Sequence, residues 1–255
     1  MNIQKVRALV MVEFKKLIRD PMTLAVLVLM PVGLTLIFYV ALGNLYSEWD
    51  PARPDVSYFE YLVPGTMGYA VIYMGMMIAL ALAEYRQEGL LKRVGTTPTS
   101  PYVYLGSLLL ANVLIAVLQG LIVLLVSVIL GVHVQIDVLG LVMVCIFLGV
   151  LAVTAVRLGL ITATIAKSTG AVSGLSMLFI VPMMMFGTFL AVFDENTRAI
   201  AHFTPNFYVT ESLYLLFSGS GLSEGIIWQN LLILSIVSLV LVVIGIQLFK
   251  RTEFR

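Results

Sequence analysis

The stretch AEYRQEGLLKRVGTTPTSPYVYLGS, Ala83–Ser107, interrupts two apolar runs that are each long enough to cross a bilayer. It carries Glu84, Arg86, Glu88, Lys92 and Arg93, followed by Thr97-Pro98 and Ser100-Pro101. Glu84, Glu88 and Leu91 stand at i, i+4 and i+7. That spacing predicts a short helix with acids along one side, extended in charge by Lys92 and Arg93 and ended by Gly95 and Pro98. A helix this short is not stable alone in water. The segment therefore needs a membrane surface or a protein groove, and the plainer alternative is a solvated charged loop.

The flanking sequence sets the fold class. Sixty per cent of the 255 residues are apolar and the mean hydropathy is +1.05, values of an integral membrane protein. About 20 apolar residues span a bilayer as a helix. Six runs qualify: Met22–Leu42, Tyr61–Ala83, Tyr102–Leu130, Val138–Ala166, Ala171–Phe193 and Ile226–Phe249. The expected fold is all-α and polytopic, with residues 1–255 forming one transmembrane domain without an internal repeat.

Charge predicts the orientation. With a cytoplasmic N-terminus, Lys5, Arg7, Lys15, Lys16, Arg19, Arg86, Lys92, Arg93, Lys167, Lys250, Arg251 and Arg255 all lie on the cytoplasmic side. Only Arg53 and Arg198 fall outside, together with acids such as Glu48, Asp50, Asp137 and Glu224. This asymmetry follows the positive-inside rule and puts both termini in the cytoplasm.

Residues 1–20 do not read as a secretory leader, because the charged part is long and the apolar run after it exceeds an h-region. Ile3, Val6, Leu9, Val10, Phe14, Leu17 and Ile18 recur at helical spacing among Lys5, Lys15, Lys16 and Arg19. That pattern predicts a basic amphipathic helix lying in the interface, with Arg19-Asp20-Pro21 turning the chain into the bilayer. Pro31 removes a backbone donor from the first span. Gly68, Gly75, Ala79 and Ala83 suit close helix packing in the second. Asn112 and Gln119 share a face of the third span and need a polar partner or water there. The third and fourth spans form a hairpin through the short turn His133–Asp137. Residues 194–225, interrupted by His202, Pro205 and Asn206, read as an external re-entrant pair of short helices between spans five and six.

Several chemistries find no footing. No G-x-x-x-x-G-K-[ST] phosphate loop, nucleophile elbow, H-E-x-x-H or paired intramembrane carboxylates occur. Cys145 is the single cysteine, and His133 and His202 lack metal-ligand spacing. Arg157 is the one basic residue inside a span. Counted from Val138 it lies near the far interface and snorkels; counted from Lys167 it is about 15 Å deep and needs water, carbonyls or an anion. Met74, Met76, Met77, Met183, Met184 and Met185 are expected to give a conduit an adaptable lining, against the alternative of lipid-facing filler. The tentative substrate pathway comprises Met74, Met77, Asn112, Arg157, Pro182 and Met184.

The order of motifs resembles the permease subunits of the ABC type-2 exporter family, which move drugs, lipids and polysaccharides. The likeness rests on Arg19-Asp20-Pro21, Pro31, Tyr61-Leu62-Val63-Pro64-Gly65, and Glu88-Gly89-Leu90-Leu91-Lys92-Arg93-Val94 with Thr97-Pro98. Pro182, Gly187 and Thr204-Pro205 with Tyr208 complete it. Leu90 stands where the family usually has threonine, and Ser107 where lysine is common. The resemblance implies a six-span permease that dimerises with a second copy or a paralogue. Two cytoplasmic ATPase subunits would dock beneath it, holding the ATP and magnesium while this chain binds no cofactor and is no enzyme itself. It implies that the 84–101 loop carries the coupling helix, with Glu84, Glu88, Gly89, Leu90, Leu91, Lys92, Arg93, Thr97 and Pro98 facing the ATPase. The expected setting is the plasma membrane of a bacterium or archaeon, in contact with lipid and not with nucleic acid. Two rival readings are an ATPase-linked sensor or regulator without flux of its own, and an ion-coupled secondary transporter, which the lack of intramembrane acids disfavours.

Overall fold

A computed structural model describes residues 3–42, 57–89, 101–166, 168–189, 195–219 and 221–253. Nine α-helices appear among them: α1 (Ile3–Arg19), α2 (Pro21–Leu42), α3 (Tyr58–Gln87), α4 (Pro101–Ile129), α5 (Val138–Ile165), α6 (Thr169–Met184), α7 (Glu195–Ala201), α8 (Pro205–Phe217) and α9 (Gly225–Glu253). A π-turn, Met185–Phe189, continues α6, and a 3₁₀ turn, Gly221–Ser223, precedes α9. Six helices, α2 to α6 and α9, are long and apolar enough to cross a membrane. The six expected spans are therefore present.

Helix starts follow local chemistry. Asp20 caps α2: its carboxylate accepts from the Thr23 N–H (3.1 Å) and the Thr23 hydroxyl (2.6 Å), while Pro21 fills the first helical position. Ser57 and Glu60 form a reciprocal capping box at the start of α3. Asp137 and Ser168 cap α5 and α6 through the Gly140 and Ala171 N–H groups.

The helix α3 is the axis of the bundle. In its apolar stretch 72% of residues are buried within the protein, against 17% for α2 and 22% each for α6 and α9, so those three are peripheral. It packs on α2, α4, α5, α6 and α8. Lipid offers apolar side chains the same environment as a neighbouring helix, so association depends on close fit. The crossing of α3 and α5 supplies it. A methyl on Gly75 would collide with the Ala155 carbonyl oxygen, and one on Gly159 with the carbonyl of Gly75. The packing expected of Gly75 thus holds, while Gly68 serves a different neighbour, Asn206 of α8.

Several helix ends differ by a few residues from the sequence reading, and one of them bears on the site. The second span does not end at Ala83: α3 continues through Glu84-Tyr85-Arg86-Gln87, and Glu88 caps it before Gly89 turns with φ +67°. Arg86 explains the extra turn. Its guanidinium donates to the Ala163 carbonyl at 2.7 Å, satisfying an unpaired acceptor in the last turn of α5 and tying the two helix ends together.

Candidate functional site

Where α1 meets the bundle, α1, α2, α3 and α4 enclose a cavity of about 430 Å³. Its inner wall is Leu27, Met74, Met77, Asn112 and Ile115; its mouth carries Glu13, Lys16, Asp20, Glu84 and Tyr85. Four of the residues singled out in the sequence, Met74, Met77, Asn112 and Glu84, thus converge on one space. Ten residues separate Glu84 from Met74, so the cavity runs about 15 Å along α3.

The mouth is electrostatically graded. Lys16 is committed: its ammonium donates to Glu13 at 2.7 Å and lies 5.6 Å from the Tyr85 ring centre. Burial works to lower its pKa, but the Glu13 hydrogen bond and neighbouring charges outweigh it and leave it raised. The Thr23 hydroxyl and backbone N–H hold the Asp20 carboxyl below its ordinary range. Glu84 is exposed, and no ion pair holds its carboxylate among the described residues. Deeper in, the Asn112 amide donates to the Leu108 carbonyl at 2.8 Å. The residue is only 8% exposed, and its carbonyl oxygen accepts no hydrogen bond from the described residues.

Behind the cavity, the two polar features expected to need partners answer one another. Pro31 has no N–H to give the Leu27 carbonyl four residues earlier. Gln119 of α4 reaches across and donates its Nε2 to that carbonyl at 2.7 Å. The Gln119 Oε1 stays buried, with no donor among the described residues.

The remaining pathway residues lie elsewhere. The six methionines do not share one surface: Met74 and Met77 face the cavity, whereas Met76 and Met183 border a small void between α3, α5 and α6. Pro182 is exposed on α6 and Met184 is half-buried. Arg157 is half-buried on α5, with its side chain beside Gly245 of α9. Of the coupling residues, Glu84 is the first of the last four residues of α3, and Glu88 and Gly89 follow it. Leu90, Leu91, Lys92, Arg93, Thr97 and Pro98 lie outside the described residues. The sequence reading missed Glu13, Thr23 and Tyr85, and it read Asp20 only as part of the turn Arg19-Asp20-Pro21. The i, i+3 spacing of Glu13 and Lys16 was a usable signal, whereas their meeting with α3 was not.

Along α1, Val6, Leu9, Val10, Phe14 and Leu17 are half-buried, and α1 packs on α4, while Ile18 is 70% exposed and leaves the expected stripe. An open apolar groove bordered by Val10, Met11, Phe14 and Leu110, with Arg7 at its edge, runs between α1 and α4.

At the other end of α3 the chain folds back on itself. The Tyr61 and Tyr214 rings meet edge-on at 5.1 Å, and Asn206 sits against Gly68, so α8 runs antiparallel to α3. The Asn206 Cβ occupies a notch at Gly187, and the Thr210 hydroxyl donates to the Gly187 carbonyl at 2.7 Å. Glu211 joins three helices, accepting from Arg198 at 3.0 Å and Asn230 at 2.9 Å.

Residues 4–217 match the family model described as ABC-2 type transporter. No curated protein matches the chain.

Proposed function

The chain belongs to the ABC-2 type transporter family, and from that premise we propose that it is the membrane-spanning half of an ATP-driven exporter, moved by a separate ATPase. That it is a multi-pass ABC permease follows from the family and the six apolar helices. The ATPase, present as two subunits carrying ATP and magnesium, engages the 84–101 segment and α1 from the cytoplasm. Both termini lie on that side, in the plasma membrane of a bacterium or archaeon.

One observation carries this reading. The α1 helix is tied to the last turn of α3 through Lys16 and Tyr85, and that turn is tied to α5 through Arg86 and Ala163. A push on the residues after Glu88 therefore reaches two spans and the surface helix at once. The half-buried apolar face of α1, its exposed lysines and arginines, and the apolar groove beside it favour an interfacial position at the edge of the lipid tails. The α7–α8 pair supports the re-entrant reading, since Asn206 lies level with Gly68, about 15 Å along α3 from Tyr58.

The substrate path runs between two copies. Both α2 and α6 pack on α3 and leave most of their apolar surface uncovered, which suits them to meet a second permease. Vanadate-sensitive flux in proteoliposomes containing the permease and its ATPase tests the whole reading. ATP hydrolysis that responds to the permease without any flux would favour a regulator instead. Within the coupling segment, buried apolar anchors outweigh rim charges. Leu91→Asp is expected to uncouple hydrolysis from flux more severely than Lys92→Ala, and wild-type coupling in both would remove the segment from the interface.

A further inference from the structure

We propose that the cavity between α1, α2, α3 and α4 binds an amphipathic cation: a monovalent cationic head at the mouth and an apolar body along the inner wall. The inference rests on the permease reading and supplies it with a ligand class.

Four observations converge. The volume, about 430 Å³, is that of a small-molecule site. Of the described charged groups at the mouth, three are carboxylates, Glu13, Asp20 and Glu84, and one is an ammonium, Lys16, already paired with Glu13. The surplus is negative and its freest member is Glu84, so a cationic head is drawn in and an anionic one repelled. The inner wall is built from Leu27, Met74, Met77 and Ile115, of which the methionines adapt to bodies of varied shape. Independently of the charges, Asn112, 8% exposed, lines that wall with a carbonyl oxygen that accepts no hydrogen bond from the described residues. That oxygen is open to solvent rather than sealed in protein, so water or a polar group of a ligand can reach it. A charged head does not need to go so deep, because Glu84 and Met74 lie about 15 Å apart. The head stays at the wet mouth while the apolar body leaves water.

Two sources supply such a molecule: a free hydrophobic cation, or a lipid with an ammonium headgroup. Binding to the full-length permease in maltoside micelles, without ATPase or nucleotide, tests the site apart from the coupling reading. The probes are tetraphenylphosphonium and tetraphenylborate, which share a shape and differ in the sign of their charge, titrated calorimetrically. Wild-type protein is expected to bind the cation at least about tenfold more tightly than the anion, in keeping with a site whose like-charge contact costs more than a kcal/mol. Glu84→Gln should weaken the cation roughly twofold to fivefold, the range of one partly exposed ion pair. Met77→Trp should abolish binding by filling the wall, and Leu80→Trp, at a residue that also lines the cavity one turn on, repeats the test should Met77→Trp fail to fold. Added phosphatidylethanolamine that displaces the cation assigns the site to a lipid headgroup; a cation that stays bound assigns it to free amphipathic cations. Equal affinity for the two ions overturns the proposal. So does a cation affinity left unchanged by Glu84→Gln or by the folded tryptophan variant.

Discussion

At the end of α3 that meets α8, polar side chains are packed into fitted notches. At the end that meets α1, they surround open space. Asn206 is fully buried between Gly68 and Gly187, and Asn230 is 3% exposed, its amide donating to Glu211 and Ser212 of α8. Across the cavity, by contrast, Glu84 is unpaired among the described residues and the Asn112 oxygen is open. The two ends carry similar residue types, so their chemistry does not differ for want of polar groups. It differs because backbone-close glycines seat the polar residues at one end, while at the other α1 meets α3 through the long side chains of Lys16 and Tyr85 and leaves the cavity between them. A fitted end resists deformation and an open one admits a ligand or transmits a push.

The strongest way to break this contrast is the same substitution at both ends. A methyl on Gly187 would lie 2.7 Å from the Asn206 Cβ and 3.2 Å from the Phe207 nitrogen, whereas one on Gly106, near the start of α4, meets nothing within 4 Å. Gly187→Ala is expected to cost about 1–3 kcal/mol by overpacking. Gly106→Ala should be neutral or gain up to about 1 kcal/mol from helix propensity. Unfolding in mixed micelles checks both, and equal effects would show that the α8 end is no tighter than the α1 end.

A smaller effect sharpens the account of the α2–α4 seam. Gln119→Leu leaves the Leu27 carbonyl without a donor and should cost about 1 kcal/mol. Pro31→Ala restores a backbone N–H to that carbonyl, so in its background Gln119→Leu should cost almost nothing. The double-mutant cycle measures the difference. Strictly additive costs would mean that Gln119 is not substituting for the donor that proline lacks.

The smallest effect concerns the hinge between α1 and α2. The Asp20 carboxyl is held below its ordinary range by Thr23, so it favours the folded state above about pH 4, the unfolded carboxylate value. That contribution is lost as pH falls through the lower folded value. Asp20→Asn keeps a capping side chain but removes the titration. Its stability difference from wild type should therefore be constant above about pH 5 and shrink below pH 4. A difference independent of pH would exclude the charge as the source.

The division between what was legible and what was not has a physical cause. Hydropathy, charge asymmetry and short motifs such as Arg19-Asp20-Pro21 and Thr204-Pro205 are local properties, and they carried the six spans, the expected turns and the family resemblance. They also placed Met74, Met77 and Asn112 on one short list. The helix end at Gln87 escaped them because the partner of Arg86 is a carbonyl on another helix, 77 residues away. The grouping of Met74 and Met77 apart from Met76 and Met183 escaped them as well. In a soluble protein the apolar stripe of a helix reports which face is inward; in a membrane both the lipid-facing and the protein-facing sides are apolar, so the pattern says little about rotation. Only the packing of α3 against five neighbours decided which of its faces meet α1, α5 or α8. From that followed the pairing of Gln119 with the Pro31 gap, the seat of Asn206, and the cavity beneath Glu84.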